Sequence, residues 1–149
     1  MNTLENIKAT GQLKITVTAP DGTVKQEQTV KNLVVTTGLN FIASRMKDAT
    51  ATVMSHMAIG TGTTAPELGN TALGTESARV ALASTTVTGN AVAYTATFPA
   101  GTPASLTAIT EAGIFNAASA GTMLCRTVFA AVNKDVGDTL SITWTVTIS

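Results

Sequence analysis

Residues Thr139 to Ser149 alternate between apolar and hydroxyl side chains without interruption. A period of two over this length is that of a β-strand with one face buried and the other in solvent. Trp144 is the largest side chain on the apolar parity, so we predict that it anchors the core. The opposite parity contains only Thr and Ser, which predicts an uncharged outer face suited to packing against another subunit. The apolar parity consists of Leu140, Ile142, Trp144, Val146 and Ile148.

The composition restricts the classes of function that the chain can have. Its 149 residues are 44% apolar and only 12% charged, with a formal net charge of zero. This length supports one domain with a hydrophobic core. A nucleic-acid partner is not expected, because phosphate binding requires a basic face. No run approaches the roughly 20 apolar residues of a membrane-spanning helix, so no membrane partner is expected either. Low net charge favours association, and we predict a homo-oligomer.

Further alternating or apolar runs predict eight or nine strands in total. Turn signals at Pro20-Asp21-Gly22 and at Thr88-Gly89-Asn90 predict two β-hairpins. The second arm of the first hairpin, residues 23–30, is poor in apolar residues and is expected at an exposed edge. Residues 123–131 are expected to pair with residues 140–148 across the turn at 133–137. Other predicted strands cover residues 13–18, 33–35, 53–59, 79–87, 91–98 and 108–115.

One segment has the periodicity of a helix, at about residues 37–47. Leu39, Ile42, Ala43 and Met46 recur at the spacing of a single apolar helix face. Thr37 is the predicted N-cap, and basic residues lie near the C-terminal end, where the helix dipole favours them. The fold prediction is therefore mainly β: an antiparallel β-sandwich or jelly-roll-like domain over residues 13–149, preceded by an arm over residues 1–12.

The usual signatures of catalysis or cofactor binding are missing from the sequence. The single histidine, His56, has no second ligand or nucleophile beside it in the pattern, so no metal site is predicted. Cys125 is the only cysteine and is interpreted as a small core residue. Gly60-Thr61-Gly62 lacks the rest of a phosphate-binding motif and is interpreted as a flexible surface loop. We expect no cofactor.

Four charged residues lie in or beside apolar strands of this weakly charged chain. Glu111 has the same parity as Ile109, which predicts that its carboxylate points inward or into an interface. A buried carboxylate needs a partner, and arginine is the best bidentate one. The sequence leaves two structural ion pairs open, Arg79–Glu111 and Arg126–Glu111. An enzymatic alternative would instead use Glu76 and Glu111 as acid and base.

Six short motifs follow one another along the chain: Asn32–Leu39, Met57–Pro66, Thr71–Glu76 with Arg79, Ile109–Asn116, Thr122–Arg126 and Leu140–Thr147. In this order and spacing they resemble a module of structural proteins from tailed bacteriophages. The resemblance covers roughly residues 32–149. It implies a non-enzymatic virion component: a tail-fibre, collar or baseplate-associated adaptor, or a capsid decoration protein. The absence of a fibre shaft favours an adaptor or decoration protein over a complete fibre.

Assembly is therefore the expected mechanism, with copies of this chain and a larger capsid or tail protein as partners. A symmetric oligomer, namely a trimer, is expected in the virion, and residues 1–12 are expected to add to a neighbour's sheet. The alternative is a carbohydrate- or receptor-binding β-sandwich. That function requires exposed aromatic side chains, for which only Tyr94 and Phe98 are candidates.

Overall fold

The structure, a computed structural model, describes residues 7–149. Within that range the chain forms nine strands and one helix, and all strand pairs are antiparallel. The predicted mainly β class with one helix is confirmed. The elements are β1 (Ala9–Thr18), β2 (Val24–Val34), α1 (Thr36–Arg45), β3 (His56–Gly60), β4 (Glu76–Ala81), β5 (Ser84–Thr88), β6 (Ala91–Phe98), β7 (Thr107–Phe115), β8 (Met123–Lys134) and β9 (Thr139–Ile148).

The strands form one curled sheet in the order β4-β3-β7-β8-β2-β1-β9-β6-β5. The sheet has the shape of a half-barrel, which fits the sandwich and jelly-roll-like class. We call β4, β3, β7 and β8 the β4 half, and β1, β9, β6 and β5 the β5 half. The connecting strand is β2, which pairs along most of its length with β1 but meets β8 only at Leu33 and Val34.

The core lies against the inner face of the curled sheet, and β9 runs through its centre. Trp144 lies between Leu13 on β1 and Tyr94 on β6, and it is fully buried. The other apolar residues of β9 face the same way, and Thr143 on the opposite parity is exposed. Strict alternation in the sequence therefore corresponds to one buried and one outer face, as expected for a sheet covered on one side.

The predicted pairing of residues 123–131 with residues 140–148 is wrong. β8 pairs with β2 and β7, whereas β9 pairs with β1 and β6. The short connection between β8 and β9 resembles a hairpin loop, but it crosses between the two halves of the sheet. The carboxylate of Asp138 fixes this turn by accepting hydrogen bonds from the Asp135 N–H at 2.9 Å and from Lys25 Nζ on β2 at 2.7 Å.

The predicted exposed edge at residues 23–30 is right only in part: β2 lies inside the strand order, but its residues 24–30 pair with β1 alone and are exposed or half-buried. Its polar side chains bridge the region where β2 and β8 have no backbone pairing. Gln26 Nε2 donates to the Ala131 carbonyl at 3.2 Å, and Gln28 Nε2 donates to the Ala130 carbonyl at 2.8 Å. The polar side chains of β2 therefore bridge to β8 where the backbone of β2 is unpaired on that side.

Two predicted strands have different boundaries in the structure. The segment 79–87 is divided between β4 and β5, with a break at Leu82 and Ala83. The Leu82 N–H donates to the Ser55 carbonyl, and the Ala83 N–H donates to the Thr95 carbonyl. The chain thus leaves the β4 half and enters the β5 half at this point. The strand predicted from residue 53 begins at His56.

The helix was placed correctly, but its predicted cap was wrong, and of its predicted apolar face only Ile42 packs against the core. Val35 occupies the N-cap position, and Thr37 Oγ1 instead donates to the Met123 carbonyl at 2.8 Å. Gly38 is the buried residue of the helix, because a Cβ there would lie 1.9 Å from the Leu124 carbonyl oxygen. This close approach sets the rotation of the helix, so Met46 of the predicted apolar face is exposed.

The predicted arm covers residues 1–12, of which the structure describes only residues 7–12. Residues 9–12 form the start of β1 and pair with β9 of their own chain, and Gly11 and Gln12 also pair with β2. The backbone groups that face β9 are therefore already used within the sheet. Residues 1–6 lie outside the described residues.

Candidate functional site

The carboxylate of Glu111 is the centre of a buried polar cluster in the β4 half. Glu111 lies on β7 and Arg126 on the neighbouring β8, and the two side chains are 0% and 2% exposed. Arg126 donates to Glu111 Oε1 through Nη2 at 3.0 Å and through Nε at 3.2 Å. Of the two ion pairs that the sequence left open, the structure contains Arg126–Glu111.

The same carboxylate holds the long segment between β3 and β4, residues 61–75. It accepts backbone N–H groups from Gly62, Gly74 and Thr75, each at 2.7 Å. Together with Arg126, these donors replace the hydration that the carboxylate loses on burial. A buried ion requires such partners. Both ends of the segment are thereby bound to β7.

Arg126 extends the cluster into the middle of that segment. Its Nη1 donates to Asn70 Oδ1 at 3.0 Å, and its Nη2 also donates to the Thr64 carbonyl at 3.0 Å. A planar guanidinium can make several directed bonds at once, which a lysine ammonium cannot do in the same geometry. One ion pair therefore orders a segment that has no helix or strand of its own.

Close packing accounts for the Gly60-Thr61-Gly62 motif. A Cβ at Gly60 would lie 2.2 Å from the Thr75 carbonyl oxygen, and one at Gly62 would lie 2.3 Å from Glu111 Oε2. These positions need glycine because the backbone approaches the carboxylate and the facing loop closely. The interpretation as a flexible surface loop is wrong for Gly62, since its N–H is bound to a buried carboxylate.

The pKa of Glu111 reflects two opposed effects. Burial raises the pKa, while hydrogen bonds from the Thr75 and Gly74 N–H groups, from Arg126 and from the Gly62 N–H lower it. The bonds to the charged form outweigh desolvation, and the pKa lies below the ordinary value for glutamate. A charged carboxylate that accepts hydrogen bonds from three backbone N–H groups and from Arg126 is suited to holding structure.

Arg79 forms a second polar brace, at the edge strand β4. It pairs with Glu76 at 2.6 Å, so the alternative Arg79–Glu111 pair is not formed. Its Nη1 donates to the carbonyls of Ala117 and Ala120 at 3.0 and 2.9 Å. The guanidinium carbon also lies 3.8 Å from the ring centre of Phe115, a cation–π contact. Glu76 and Glu111 are therefore bound to different arginines.

The remaining predicted residues have structural surroundings. His56 is half-buried, and its Nδ1 lies 2.8 Å from Ser55 Oγ. Cys125 is fully buried, and burial raises the pKa of its thiol. Across residues 7–149 there is no group of three or more His, Cys, Asp or Glu side chains that could hold a metal ion. The same residues include no helix long and apolar enough to cross a membrane.

The sequence did not predict a third charged group at the β8–β9 turn. Lys25 contacts Asp135 and Asp138 at 2.9 and 2.7 Å. Lys134 is 1% exposed, its Nζ donates to the Pro99 carbonyl at 3.0 Å, and burial lowers its pKa. Three charged residues within 134–138 were a visible signal, but the partner Lys25 is far away in the chain.

Outside the polar cluster, the strand β5 is the most accessible part of the sheet. All five of its residues, Ser84–Thr88, are exposed, and none carries a charge. It pairs only with β6 and forms one end of the strand order. Natural proteins usually protect such edges with charges, proline or a covering segment, so an uncharged exposed edge is a candidate interface.

Comparison with known proteins provides no relative from which to transfer a function. No protein-family model, no curated protein and no solved structure matches the chain. The functional interpretation therefore rests on the residues and the geometry given above.

Proposed function

We propose that the chain is a non-enzymatic structural protein of a tailed-bacteriophage particle that assembles as a homo-oligomer. Its place is an adaptor in the tail, collar or fibre, or a decoration protein on the capsid. Copies of the chain and a larger virion protein are its partners. Its location is the virion, and neither a cofactor nor a nucleic acid is part of the mechanism.

The observation that carries the proposal is the convergence of the phage-like motifs on one buried cluster. Gly62, Gly74, Thr75, Glu111 and Arg126 come from four of these motifs, and all are bonded to the same carboxylate or carry it. These motifs are thus linked by a single physical requirement. A buried carboxylate needs hydrogen-bond donors, and the motifs supply them. This supports treating them as one module rather than as unrelated short matches.

The β5 edge supports assembly as the mechanism. Subunits in a symmetric oligomer bury a surface that is exposed in the isolated chain. Ser84, Thr86 and Thr88 offer backbone and hydroxyl groups without introducing like charges between identical copies. We place β5 at the subunit interface and expect a trimer with three copies of this edge around its axis.

Sedimentation equilibrium of the purified chain tests self-association. We expect a trimer, and we expect Thr86→Lys to shift it to monomer, because the new ammonium groups would repel one another across the axis. Ser77→Lys on β4 is the matched control and should leave the trimer intact. A monomer at all concentrations, or equal effects of both substitutions, would contradict the interface.

Copy number in purified particles tests the location. Quantitative mass spectrometry should find the chain in virions at a fixed ratio to the other structural proteins. A ratio near that of the major capsid protein indicates decoration, and one near that of tail proteins indicates an adaptor. Absence from the particle would contradict the proposal.

One observation favours the second candidate, a carbohydrate- or receptor-binding module. An open groove of about 620 Å³ on the outer face is lined by hydroxyl, amide and ammonium groups, including those of Gln12, Lys14 and Thr145. However, Tyr94 and Phe98 are buried at 7% and 0% exposure and cannot stack on a sugar from solvent. Specific glycan-array binding that is lost in Gln12→Ala would favour this function over assembly.

A further inference from the structure

A second groove, which we call the inner groove, lies on the inner side of the β5 half, between that half and α1. Its volume is about 320 Å³. Nine of its twelve lining residues are apolar, and the other three are Arg45, Thr85 and Tyr94. Val53 and Val87 in its lining are 54% and 69% exposed, although both are large hydrophobic residues. A concave apolar site with a few polar groups is typical of small-molecule binding.

The inner groove has one positive charge and no negative charge among the described residues that line it. The charge belongs to Arg45. Tyr94 stays neutral at physiological pH, since burial raises its pKa to about 12. Arg45 forms no ion pair with another of residues 7–149, and the nearby Asp48 pairs with Lys47 at 3.6 Å instead. An apolar lining with a single cation is complementary to an amphiphile with an anionic head group.

The guanidinium of Arg45 is held in place and keeps one edge for a ligand. Its Nη1 donates to the Ala51 carbonyl at 3.0 Å, and its central carbon lies 6.0 Å from the ring centre of Phe41. Its Nε and Nη2 donate to no other group in the described part of the chain. The same two atoms of Arg126 bind the carboxylate of Glu111, at 3.2 and 3.0 Å. Because an arginine edge binds carboxylates through charge-assisted hydrogen bonds, a carboxylate is the favoured head group.

The volume of the inner groove limits the size of the ligand. A dry apolar cavity of about 150 Å³ holds one benzene molecule. By this measure the inner groove, at about 320 Å³, accommodates roughly twelve non-hydrogen atoms. A straight-chain monocarboxylate of this size is decanoate.

We propose that the inner groove binds a small monocarboxylate with one apolar chain. The carboxylate accepts hydrogen bonds from Arg45, and the chain packs between Val53 and Val87. Apolar surface that is exposed in the isolated chain is thereby removed from water. This inference concerns the single chain and does not depend on the proposed role in a virion.

Isothermal titration calorimetry with decanoate tests the class of ligand. Decanoate should bind at least about tenfold tighter than decylammonium, which has the same chain and the opposite charge. Arg45→Met should weaken decanoate binding at least about tenfold, because it removes the charged donors. Lys47→Met removes a cation outside the groove and should leave the affinity unchanged. Equal affinities for the two amphiphiles, or equal effects of the two substitutions, would overturn the proposal.

Two exposed positions test the location of the ligand without disturbing the core. Val87→Asp places a carboxylate in the inner groove and should weaken decanoate binding at least as much as Arg45→Met does. Leu106→Asp makes a similar change at a side chain that is 63% exposed and lies outside the groove, so binding should be unchanged. If Val87→Asp and the unsubstituted chain bind decanoate equally well, the ligand is not in this groove.

A second copy of the chain is the competing occupant of the inner groove. Sedimentation equilibrium with saturating decanoate distinguishes the two occupants. The oligomeric state should be the same with and without decanoate. Conversion of an oligomer to monomer by decanoate would assign the groove to a second copy and overturn the proposal.

Discussion

The two halves of the sheet are stabilised by different chemistry. The β4 half contains the Glu111–Arg126 cluster, and its edge strand is braced by Arg79. The inner face of the β5 half is apolar around Trp144, and its edge strand has no charge and no covering segment among the described residues. A buried ion pair orders a loop with defined geometry, whereas an apolar face beside an open edge remains available to another segment or subunit.

The largest effect is expected from breaking the ion pair of the β4 half. Arg126→Met leaves the carboxylate of Glu111 buried without its partner, so the free energy of unfolding should fall by about 3–5 kcal/mol. Lys14→Met, which breaks the exposed pair with Glu27, is the control and should cost at most about 1 kcal/mol. Denaturant unfolding measures both free energies. Equal losses would show that the buried pair contributes no more to stability than the exposed one.

A comparable loss of stability is expected when the core of the β5 half is disrupted. Trp144→Ala should reduce the free energy of unfolding by about 3–5 kcal/mol, because it leaves a cavity under β1 and β6. The indole N–H has no hydrogen-bond partner among the residues described. Trp144→Phe therefore loses packing alone and should cost clearly less. Near-normal thermal stability of Trp144→Ala would contradict the central position of this side chain.

Acid should weaken the β4 half through protonation of Glu111. The folded-state pKa of Glu111 is lower than its ordinary value of 4.5. Its contribution is thus present above that pH and is lost as the pH falls through the folded-state value. Glu111→Gln should be less stable at neutral pH and should show a weaker decline in unfolding free energy on acidification. An identical acid dependence in the variant would mean that other carboxylates control the decline.

The brace at the β4 edge should have a smaller effect. Arg79→Met removes charge-assisted hydrogen bonds to two carbonyls and to Glu76, and it should cost about 1.5–3 kcal/mol. Thr86→Lys at the β5 edge should change the unfolding free energy of the monomer by no more than about 0.5 kcal/mol, since it breaks no described contact. Thermal unfolding of both under monomeric conditions tests this contrast.

The sequence predicted those parts of the fold that depend on local pattern. The alternation around Trp144 defined β9 and its buried face, and Pro20-Asp21-Gly22 marked the β1–β2 hairpin. The prediction that β8 pairs with β9 was wrong. A short connection favours a hairpin, but the strand neighbours are set by long-range packing of the inner faces. The predicted buried face of α1 was mostly wrong, because the rotation of the helix depends on the contact between Gly38 and the Leu124 carbonyl.

The candidate cluster could be predicted only in part. Parity indicated that Glu111 points inward, and scarcity of charge singled out Arg79 and Arg126. The choice between the two arginines depends on where residues 61–75 lie. That segment has no periodicity, so its three donated N–H groups could not be located from the sequence. The glycines at 60 and 62 were the available signal, and they were interpreted as loop flexibility rather than close approach.

Amide hydrogen exchange tests most directly whether the buried cluster orders one half while the other ends in an open edge. Under monomeric conditions, the amides of Gly62, Gly74 and Thr75 should exchange slowly, although they lie outside helices and strands. They should lose this protection in Arg126→Met under conditions where the variant remains folded. Segment 84–88 should exchange faster than these loop amides in both proteins. Fast exchange at all three loop amides in the unsubstituted chain would contradict the account.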